Sequence, residues 1–213
     1  MSDYQRNGAA LVLCAPSGTG KTTLARRMLA EYPRIAFSIS YTTRPPRPDE
    51  TNGQDYYFVK PERFRELVEQ HYFAEWAMVH GFYYGTPLAA AMRMLEEGKD
   101  LLFDVDVQGA AQLKNTLPSA YFVFVLPPSR SSLEQRLRQR ASDSEEDIRL
   151  RLTNALLELK QAAWFNTWVV NDDPDKAFKD LCAIYQTACL HPMRSPNLLQ
   201  QLVNEFEPSL PEP

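Results

Sequence analysis

Short runs of apolar residues alternate along this chain with segments in which apolar residues recur at helical spacing. Residues 9–14, 101–105 and 121–126 are nearly continuous apolar runs, which is typical of strands buried on both faces of a sheet. Residues 37–40 predict a short second strand, and residues 168–171 predict the last one. Because helical segments separate the strands at both ends of the chain, the pattern predicts a parallel sheet covered by helices.

Capping residues indicate where several helices begin. Residues 86–87, a Thr-Pro pair, match the N-cap and first-turn positions of one helix. Ser131 with Glu134, and Ser144 with Asp147, match the capping-box pattern and predict the starts of two more helices.

Two segments depart from this alternation. Residues 41–85 begin with a stretch rich in Pro, Thr, Arg, Asp and Gly, and predict an inserted subdomain. The tail that begins at His191 is Pro-rich, yet residues 197–206 suit a short amphipathic helix. We expect that helix to dock on the core or on a partner subunit, which leaves open a homo-oligomer.

Composition and charge narrow the function classes. The 213 residues are 44% apolar and 23% charged, which excludes a disordered, collagen-like or coiled-coil chain. The net charge of −4 argues against a nucleic-acid partner, so any phosphate must meet a local basic cluster. The chain has no apolar run of membrane-spanning length, no secretory signal, and no metal-ligand or disulfide spacing among its three cysteines and three histidines. These features predict a cytoplasmic protein that does not bind membranes.

The segment APSGTGKTT, residues 15–23, is the strongest chemical motif. It fits the phosphate-loop pattern GxxxxGK[ST] except that Ala15 replaces the first glycine. Backbone N–H groups from Ser17 to Thr22 would surround a phosphate, Lys21 would add positive charge, and the Thr22 hydroxyl would ligate Mg²⁺. The alternative is a Gly-rich turn before an ordinary helix. Ala15 is tolerated if its φ is negative and costly if its φ is positive.

A second cluster combines arginines and tyrosines. Arg44 and Arg47, separated by two prolines, would form a forked clamp for a phosphate monoester, with Tyr56 and Tyr84 as hydroxyl donors. The alternative is a solvated arginine pair balanced by the acids at positions 49–50.

Carboxylates form a third group of candidates. Glu75 lies among aromatic residues and is either a surface residue or a buried acceptor for a ligand. Asp104 and Asp106 follow a buried strand two residues apart, which predicts a shared face at the carboxyl edge of the sheet, where ligands bind. The alternative is a turn aspartate followed by a helix cap.

Five arginines interleaved with acids follow the third buried strand. Two of them, Arg136 and Arg140, share a helix face. The segment predicts either a mobile arginine lid over a phosphate site or a charged helix that merely faces water. The arginines are Arg136, Arg138, Arg140, Arg149 and Arg151.

Nine segments in fixed order resemble the guanylate kinase family of nucleoside monophosphate kinases. They are PSGTGKTT, SYTTRPPR, ETNGQDYYF, FAEWA, YYGTP, LLFDVDVQGA, FVLPPS, LEQRLRQR and VVNDD, and the resemblance covers about residues 9–190. The resemblance implies transfer of the γ-phosphoryl group of ATP to GMP and dGMP, with Mg²⁺ as cofactor, in purine nucleotide metabolism. It also implies an α/β fold: a P-loop NTPase-type parallel sheet with helices on both faces, an inserted GMP-binding α+β subdomain and a helical lid. The implied parts are core residues 1–40, 89–128 and 152–190, the GMP-binding insertion 41–88, the lid 129–151 and the tail 191–213.

The resemblance also assigns roles to residues at matching positions. The implied ATP-binding residues are Ala15, Pro16, Ser17, Gly18, Thr19, Gly20, Lys21, Thr22, Thr23 and Asn171. The implied guanine contacts are Ser40, Glu75, Thr86 and Asp104, and the implied contacts to the GMP phosphate are Arg44, Arg47, Tyr56 and Tyr84. The implied catalytic residues are Lys21, Arg44, Arg136, Arg140 and Arg151, and the implied Mg²⁺ residues, acting partly through water, are Thr22 and Asp106.

Departures and alternatives remain. Ala15, Asp49 and Ala141 stand where the family pattern has glycine. The changes at Asp49 and Ala141 affect loop flexibility but remove no ligand, and the phosphate cradle survives the change at Ala15. One alternative is a guanylate-kinase-like module that binds peptides without catalysis, although Lys21 and Thr22 are retained. The other is a kinase for a different nucleotide or a sugar phosphate.

Overall fold

The computed structural model describes residues 6–79, 81–139 and 144–207. The strands are β1 Ala10–Cys14, β2 Ile35–Phe37, β3 Tyr41–Thr42, β4 Tyr57–Phe58, β5 Phe73–Val79, β6 Phe82–Pro87, β7 Asp100–Asp104, β8 Tyr121–Leu126 and β9 Thr167–Val170. The α-helices are α1 Lys21–Glu31, α2 Pro61–Glu69, α3 Leu88–Glu96, α4 Val107–Thr116, α5 Arg130–Arg138, α6 Glu145–Lys160, α7 Pro174–Leu190 and α8 Leu198–Phe206. No helix in these ranges is long and apolar enough to cross a membrane.

A five-stranded sheet in the order β2-β7-β1-β8-β9 forms the centre of the molecule, and all of its strands are parallel. One face packs against α3 and α4 through the buried residues Leu95 and Leu113. The other face packs against α1 and α7 through Leu24, Met28 and Leu181. The predicted α/β fold, a parallel sheet with helices on both faces, is confirmed.

A second, four-stranded sheet has the order β4-β3-β6-β5. Strand β6 pairs antiparallel with both β3 and β5, while β3 and β4 are parallel. Its own small core consists of Phe64 and Leu67 of α2 together with Phe73. This sheet is built from the segment that interrupts the strand-helix alternation.

Two predicted helix starts are wrong. Thr86 is not an N-cap, because it pairs with Glu75 as part of β6 and the helix begins at Leu88. The N-cap of α5 is Ser129 instead of Ser131, and its hydroxyl accepts the Ser132 N–H at 3.1 Å.

Other local expectations agree with the structure or shift slightly. The capping box of Ser144 and Asp147 forms at the start of α6. The second strand covers Ile35–Phe37 instead of residues 37–40, since it pairs with the first residues of β7.

The tail is anchored by one buried arginine. Arg194 donates hydrogen bonds to the carbonyl oxygens of Gly8, at 3.2 Å, and of Ser119. Its own carbonyl accepts the Asn7 N–H at 2.8 Å. Helix α8 follows, and none of its residues is fully buried.

Candidate active site

The loop between β1 and α1 has the geometry of a phosphate cradle. Gly18 and Gly20 have φ values of 91° and 100°, a region that strongly favours glycine. A Cβ on Gly20 would lie 2.5 Å from Nδ2 of Asn171, which donates to the Thr19 carbonyl at 2.7 Å. Ala15 is buried with a negative φ, so this substitution in the motif introduces no left-handed strain.

Lys21 joins the phosphate loop to the end of β7. Its Nζ lies 2.5 Å from Oδ1 of Asp104 and donates to the Val105 carbonyl at 2.8 Å. Burial lowers the pKa of Lys21, but the combined effect of the neighbouring Asp104, Cys14 and Asp106 outweighs burial and keeps the pKa above its ordinary value. Lys21 therefore stays charged and rests against Asp104. Thr22 is exposed in the first turn of α1, as is Thr23.

Asp106 is the N-cap of α4. Its Oδ1 accepts the Gly109 N–H at 2.8 Å, so the helix-cap interpretation of this residue is correct at the level of local structure. Among the described residues, the second carboxylate oxygen accepts only a long contact of 3.4 Å, from Gln108. Capping therefore leaves part of the acceptor capacity of Asp106 available to a ligand.

One cavity of about 240 Å³ collects most of the predicted GMP-side residues. It lies between the edge of the parallel sheet and the smaller sheet. The predicted residues in its wall are Lys21, Ser40, Tyr56, Glu75, Tyr84, Asp104 and Asp106.

Glu75 is the buried acid of this cavity, with 4% of its surface exposed. Its Oε1 accepts the Thr86 hydroxyl hydrogen bond at 2.6 Å, and Thr86 Oγ1 lies 3.3 Å from Oγ of Ser40. Burial raises the pKa of Glu75 to about 7. A Cβ at Gly109 would lie 2.6 Å from Oε2 of Glu75, so this glycine leaves room for the carboxylate.

The two arginines of the predicted phosphate clamp differ in their surroundings. Arg44 donates to Oε1 of Glu50 at 2.7 Å, and this hydrogen bond raises the pKa of Arg44. The guanidinium also lies over the ring of Tyr56, 5.5 Å from its centroid. Arg47 is exposed, and its backbone N–H donates to Oε2 of Glu50 at 2.8 Å. Glu50 thus holds both Arg44 and the backbone of Arg47 in place. It is also one of the two acids that the alternative interpretation, a solvated arginine pair, requires.

Two arginines of the predicted lid reach the phosphate loop. Arg136 donates to the carbonyl oxygens of Asn171, at 2.9 Å, and Thr19, at 3.3 Å. Arg151 donates to Oγ of Ser17 at 2.8 Å. Each of these guanidinium groups therefore lies beside the loop that would hold nucleotide phosphates.

Among the described residues, Arg138 does not contact the loop in this way. Arg138 bridges Glu134 of α5 and Glu145 of α6 at the surface, and so ties the two helices together. Arg140 and Ala141 lie outside the described residues.

Glu158 is a candidate that sequence reasoning missed. Its Oε2 is buried without a hydrogen-bond partner in the described part of the chain, and burial raises the pKa of Glu158 to about 7. It lines a second cavity, of about 540 Å³, together with Asp106. The available signal was its position seven residues after Arg151 on the same helix face.

Comparisons with known proteins agree with this geometry. The guanylate kinase family model matches residues 7–188. The guanylate kinase of Oleidesulfovibrio alaskensis is 54% identical over 201 residues, covering 94% of this chain and 98% of that protein. The guanylate kinase of Nitratidesulfovibrio vulgaris is 56% identical over 188 residues, covering 88% of this chain and 91% of that protein.

A solved structure supports the same assignment. The crystal structure of guanylate kinase from Anaplasma phagocytophilum superposes with a TM-score of 0.78 at 28% identity, and covers 95% of this chain and 97% of that one. A phosphate loop, an adjoining cavity with a buried carboxylate, and a family match over most of the sequence lead to one conclusion. The chain belongs to the guanylate kinase family.

Proposed function

We propose that this protein transfers the γ-phosphoryl group of ATP to GMP and dGMP, giving ADP with GDP or dGDP. The observation that carries the proposal is the contact between Lys21 and Asp104, which joins the phosphate loop to the cavity containing Glu75. A donor triphosphate on the loop and an acceptor in the cavity would thereby meet end to end. Family membership supports the same reaction.

Selection of guanine follows from the acids of the cavity. Guanine presents N1–H and an exocyclic amine, both donors, and the carboxylates of Glu75 and Asp104 accept hydrogen bonds when ionised. Adenine presents a lone pair at N1 and would meet repulsion there. Ser40 and Thr86, which lie beside Glu75, are the further guanine contacts of this proposal.

The phosphate of GMP is assigned to Arg44, Arg47, Tyr56 and Tyr84. Arg44 has five N–H donors, so it can keep its hydrogen bond to Glu50 and still present donors to a phosphate. The two tyrosines line the cavity and add hydroxyl groups.

Catalysis would rest on charge neutralisation and alignment. The phosphate of GMP is mostly dianionic at neutral pH because its second pKa is about 6, so the acceptor needs no general base. Lys21 moves from Asp104 to the transferring group, and Arg136 and Arg151 add charge from beside the loop. By its position in the chain, Arg140 is assigned to the same lid group, and the division into core, insertion 41–88 and lid 129–151 is part of this proposal.

The remaining loop assignments are proposals of the same kind. Backbone N–H groups of Ala15, of residues 17–20 and of the first turn of α1, including Thr23, would bind the ATP phosphates. Pro16 has no N–H and would shape the loop. Asn171 shapes the loop through its hydrogen bond to Thr19 and, in this proposal, would lie near the adenine of ATP.

The side chains present fit Mg²⁺. Asp106 keeps acceptor capacity, Glu158 Oε2 is a buried oxygen without a partner among the described residues, and Thr22 supplies an exposed hydroxyl. Oxygen donors of this kind suit Mg²⁺, which retains several of its waters in kinase sites. Thr22 and Asp106 would hold the ion, partly through water, and Mg²⁺ when bound would neutralise charge on the β- and γ-phosphates.

We also propose a cytoplasmic location. The cysteines Cys14, Cys182 and Cys189 are free thiols, as expected in a reducing compartment.

A coupled assay with ATP, Mg²⁺ and each of GMP, dGMP, AMP, UMP, dTMP and CMP tests the function. We expect GMP and dGMP to be phosphorylated and the other four to react at least about a hundredfold more slowly in kcat/KM. Adenine and cytosine would turn a ring-nitrogen lone pair toward the acids, and uracil and thymine lack the exocyclic amine. Preference for another acceptor would contradict the guanine assignment. Absence of any transfer, with no ATP binding, would favour the peptide-binding module.

A further inference from the structure

We propose that Glu158 is a positioning residue of the phosphoryl-transfer centre, where its carboxylate accepts hydrogen bonds from the water shell of the nucleotide-bound Mg²⁺. This inference rests on the proposed function. It assigns a role to a residue that lies outside the motifs from which the site was predicted.

The first argument is the unsatisfied carboxylate oxygen. Oε2 of Glu158 is fully buried, yet no described residue donates a hydrogen bond to it. A buried acceptor without a donor is costly, and native proteins rarely retain one without a ligand or water to satisfy it. The missing donor is therefore best sought in the cavity that Glu158 lines.

The second argument is the position of that cavity. The cavity has a volume of about 540 Å³, and its wall includes Asp106, Asn154, Glu158 and Gln161. Asp106 also lines the cavity that contains Lys21 and Glu75, so the two cavities meet at this carboxylate. Glu158 thus faces the phosphoryl-transfer centre from the side of α6.

The third argument is the course of helix α6. Arg151 precedes Glu158 by seven residues, or two turns, and so lies on the same face of α6. It donates a hydrogen bond to Oγ of Ser17 in the phosphate loop at 2.8 Å. The same helix therefore presents a cation to the loop and an anion to the neighbouring cavity. The guanidinium of Arg151 can bind the phosphates themselves, whereas the carboxylate of Glu158 needs a hydrogen-bond donor that carries positive charge.

Chemistry identifies that donor. Nucleotide phosphates are acceptors and anions, so Glu158 would repel them. The water molecules bound to Mg²⁺ are strongly polarised, and their O–H groups are good hydrogen-bond donors. In nucleotide sites, Mg²⁺ is bound by one or two carboxylates plus phosphates. Residues that hydrogen-bond to the ligands of a metal typically change metal affinity or activity by 10–100-fold when they are replaced.

The test compares binding of a non-hydrolysable ATP analogue with and without Mg²⁺ by isothermal titration calorimetry. We expect Glu158→Gln to lower the ratio of affinities, Mg²⁺ over EDTA, by about tenfold. In EDTA, the variant should bind the analogue as tightly as the wild type or more tightly, because a negative charge near the phosphates has been removed. Glu146→Gln, an exposed position on the same helix, is the matched control and should leave both affinities unchanged.

A second variant separates positioning from packing. Glu158→Asp keeps the carboxylate and should retain more of the Mg²⁺-dependent gain than Glu158→Gln. An unchanged ratio in a Glu158→Gln protein with native melting temperature would overturn the proposal, and so would equal losses in the Asp and Gln variants. Because no GMP is present, the result is independent of the acceptor assay. Failure of the wild type to phosphorylate GMP would instead count against the proposed function.

Discussion

Glu75 is a single residue whose burial makes the stability of the protein depend on pH. Its pKa is raised from 4.5 to about 7 by burial, so between these values the folded chain binds the proton more readily than the unfolded chain. The stabilisation is complete below about pH 4.5 and is lost as the pH rises through about 7. Relative to the wild type, Glu75→Gln should therefore gain up to about 3 kcal/mol in free energy of unfolding between about pH 4 and pH 8.

Urea denaturation at both pH values measures this effect. The glutamine keeps an oxygen that can accept the Thr86 hydroxyl hydrogen bond, so the contact itself is retained. Glu69→Gln, at an exposed position, serves as the control and should show no such pH dependence. An equal change in stability at both pH values for Glu75→Gln would contradict the assignment of the shift to burial.

The same residue should determine the choice of base. Glu75→Ala should reduce kcat/KM for GMP by the equivalent of about 2–4 kcal/mol, because an ionised acceptor for guanine's donors is lost. AMP should not lose a comparable factor. Glu75→Gln should fall between, since its oxygen still accepts while its NH₂ group opposes a donor.

Steady-state kinetics with both nucleotides, alongside circular dichroism and melting curves, decide the matter. Equal loss for GMP and AMP in a well-folded variant would mean that Glu75 supports the fold and does not select the base.

At the scale of elements, the tail offers a prediction. Arg194 ties the segment after α7 to Gly8 and Ser119, whereas α8 has no fully buried residue. Removing residues 192–213 should therefore lower the melting temperature by about 4–8 °C, the equivalent of about 2 kcal/mol of lost hydrogen bonds. Removing residues 196–213 retains Arg194 and should lower it less.

Differential scanning calorimetry of the two truncations tests this difference, and GMP kinase activity should persist in both. Equal melting temperatures for the two would show that Arg194 does not anchor the tail. Sedimentation velocity on the same variants tests whether α8 mediates association between subunits.

The strands and helices differ in how well the sequence alone predicts them. The apolar runs located the parallel strands, and the phosphate loop was predicted because its residues are contiguous. Thr86 was misassigned since its partner, Glu75, comes from a different part of the chain. Glu158 carried one weak local signal, its spacing from Arg151, because its significance depends on the cavity that α6 shares with the start of α4. Contacts between distant segments were the part that periodicity could not predict.

At the scale of the whole molecule, the ion pair of Lys21 and Asp104 has a thermodynamic consequence. One partner belongs to the proposed donor side and the other to the proposed acceptor side. A triphosphate that attracts Lys21 releases Asp104 for guanine, so each substrate should favour binding of the other. We expect the Mg²⁺ complex of the ATP analogue to tighten GMP binding by at least about fivefold, which is the lower end of typical coupling between sites.

Calorimetric titration of GMP, with and without the analogue, measures the cooperativity. In Lys21→Met the factor should fall toward one, whereas Arg26→Met, at an exposed position of α1, should preserve it. Full cooperativity in Lys21→Met would show that the ion pair of Lys21 and Asp104 does not cause the cooperative binding. Linkage requires GMP to tighten binding of the analogue by the same factor, so the ternary complex would form at lower substrate concentrations than independent binding would allow. At a given GMP concentration, such an enzyme would hold ATP without its acceptor less often than one whose two sites were independent, which would reduce hydrolysis of ATP by water.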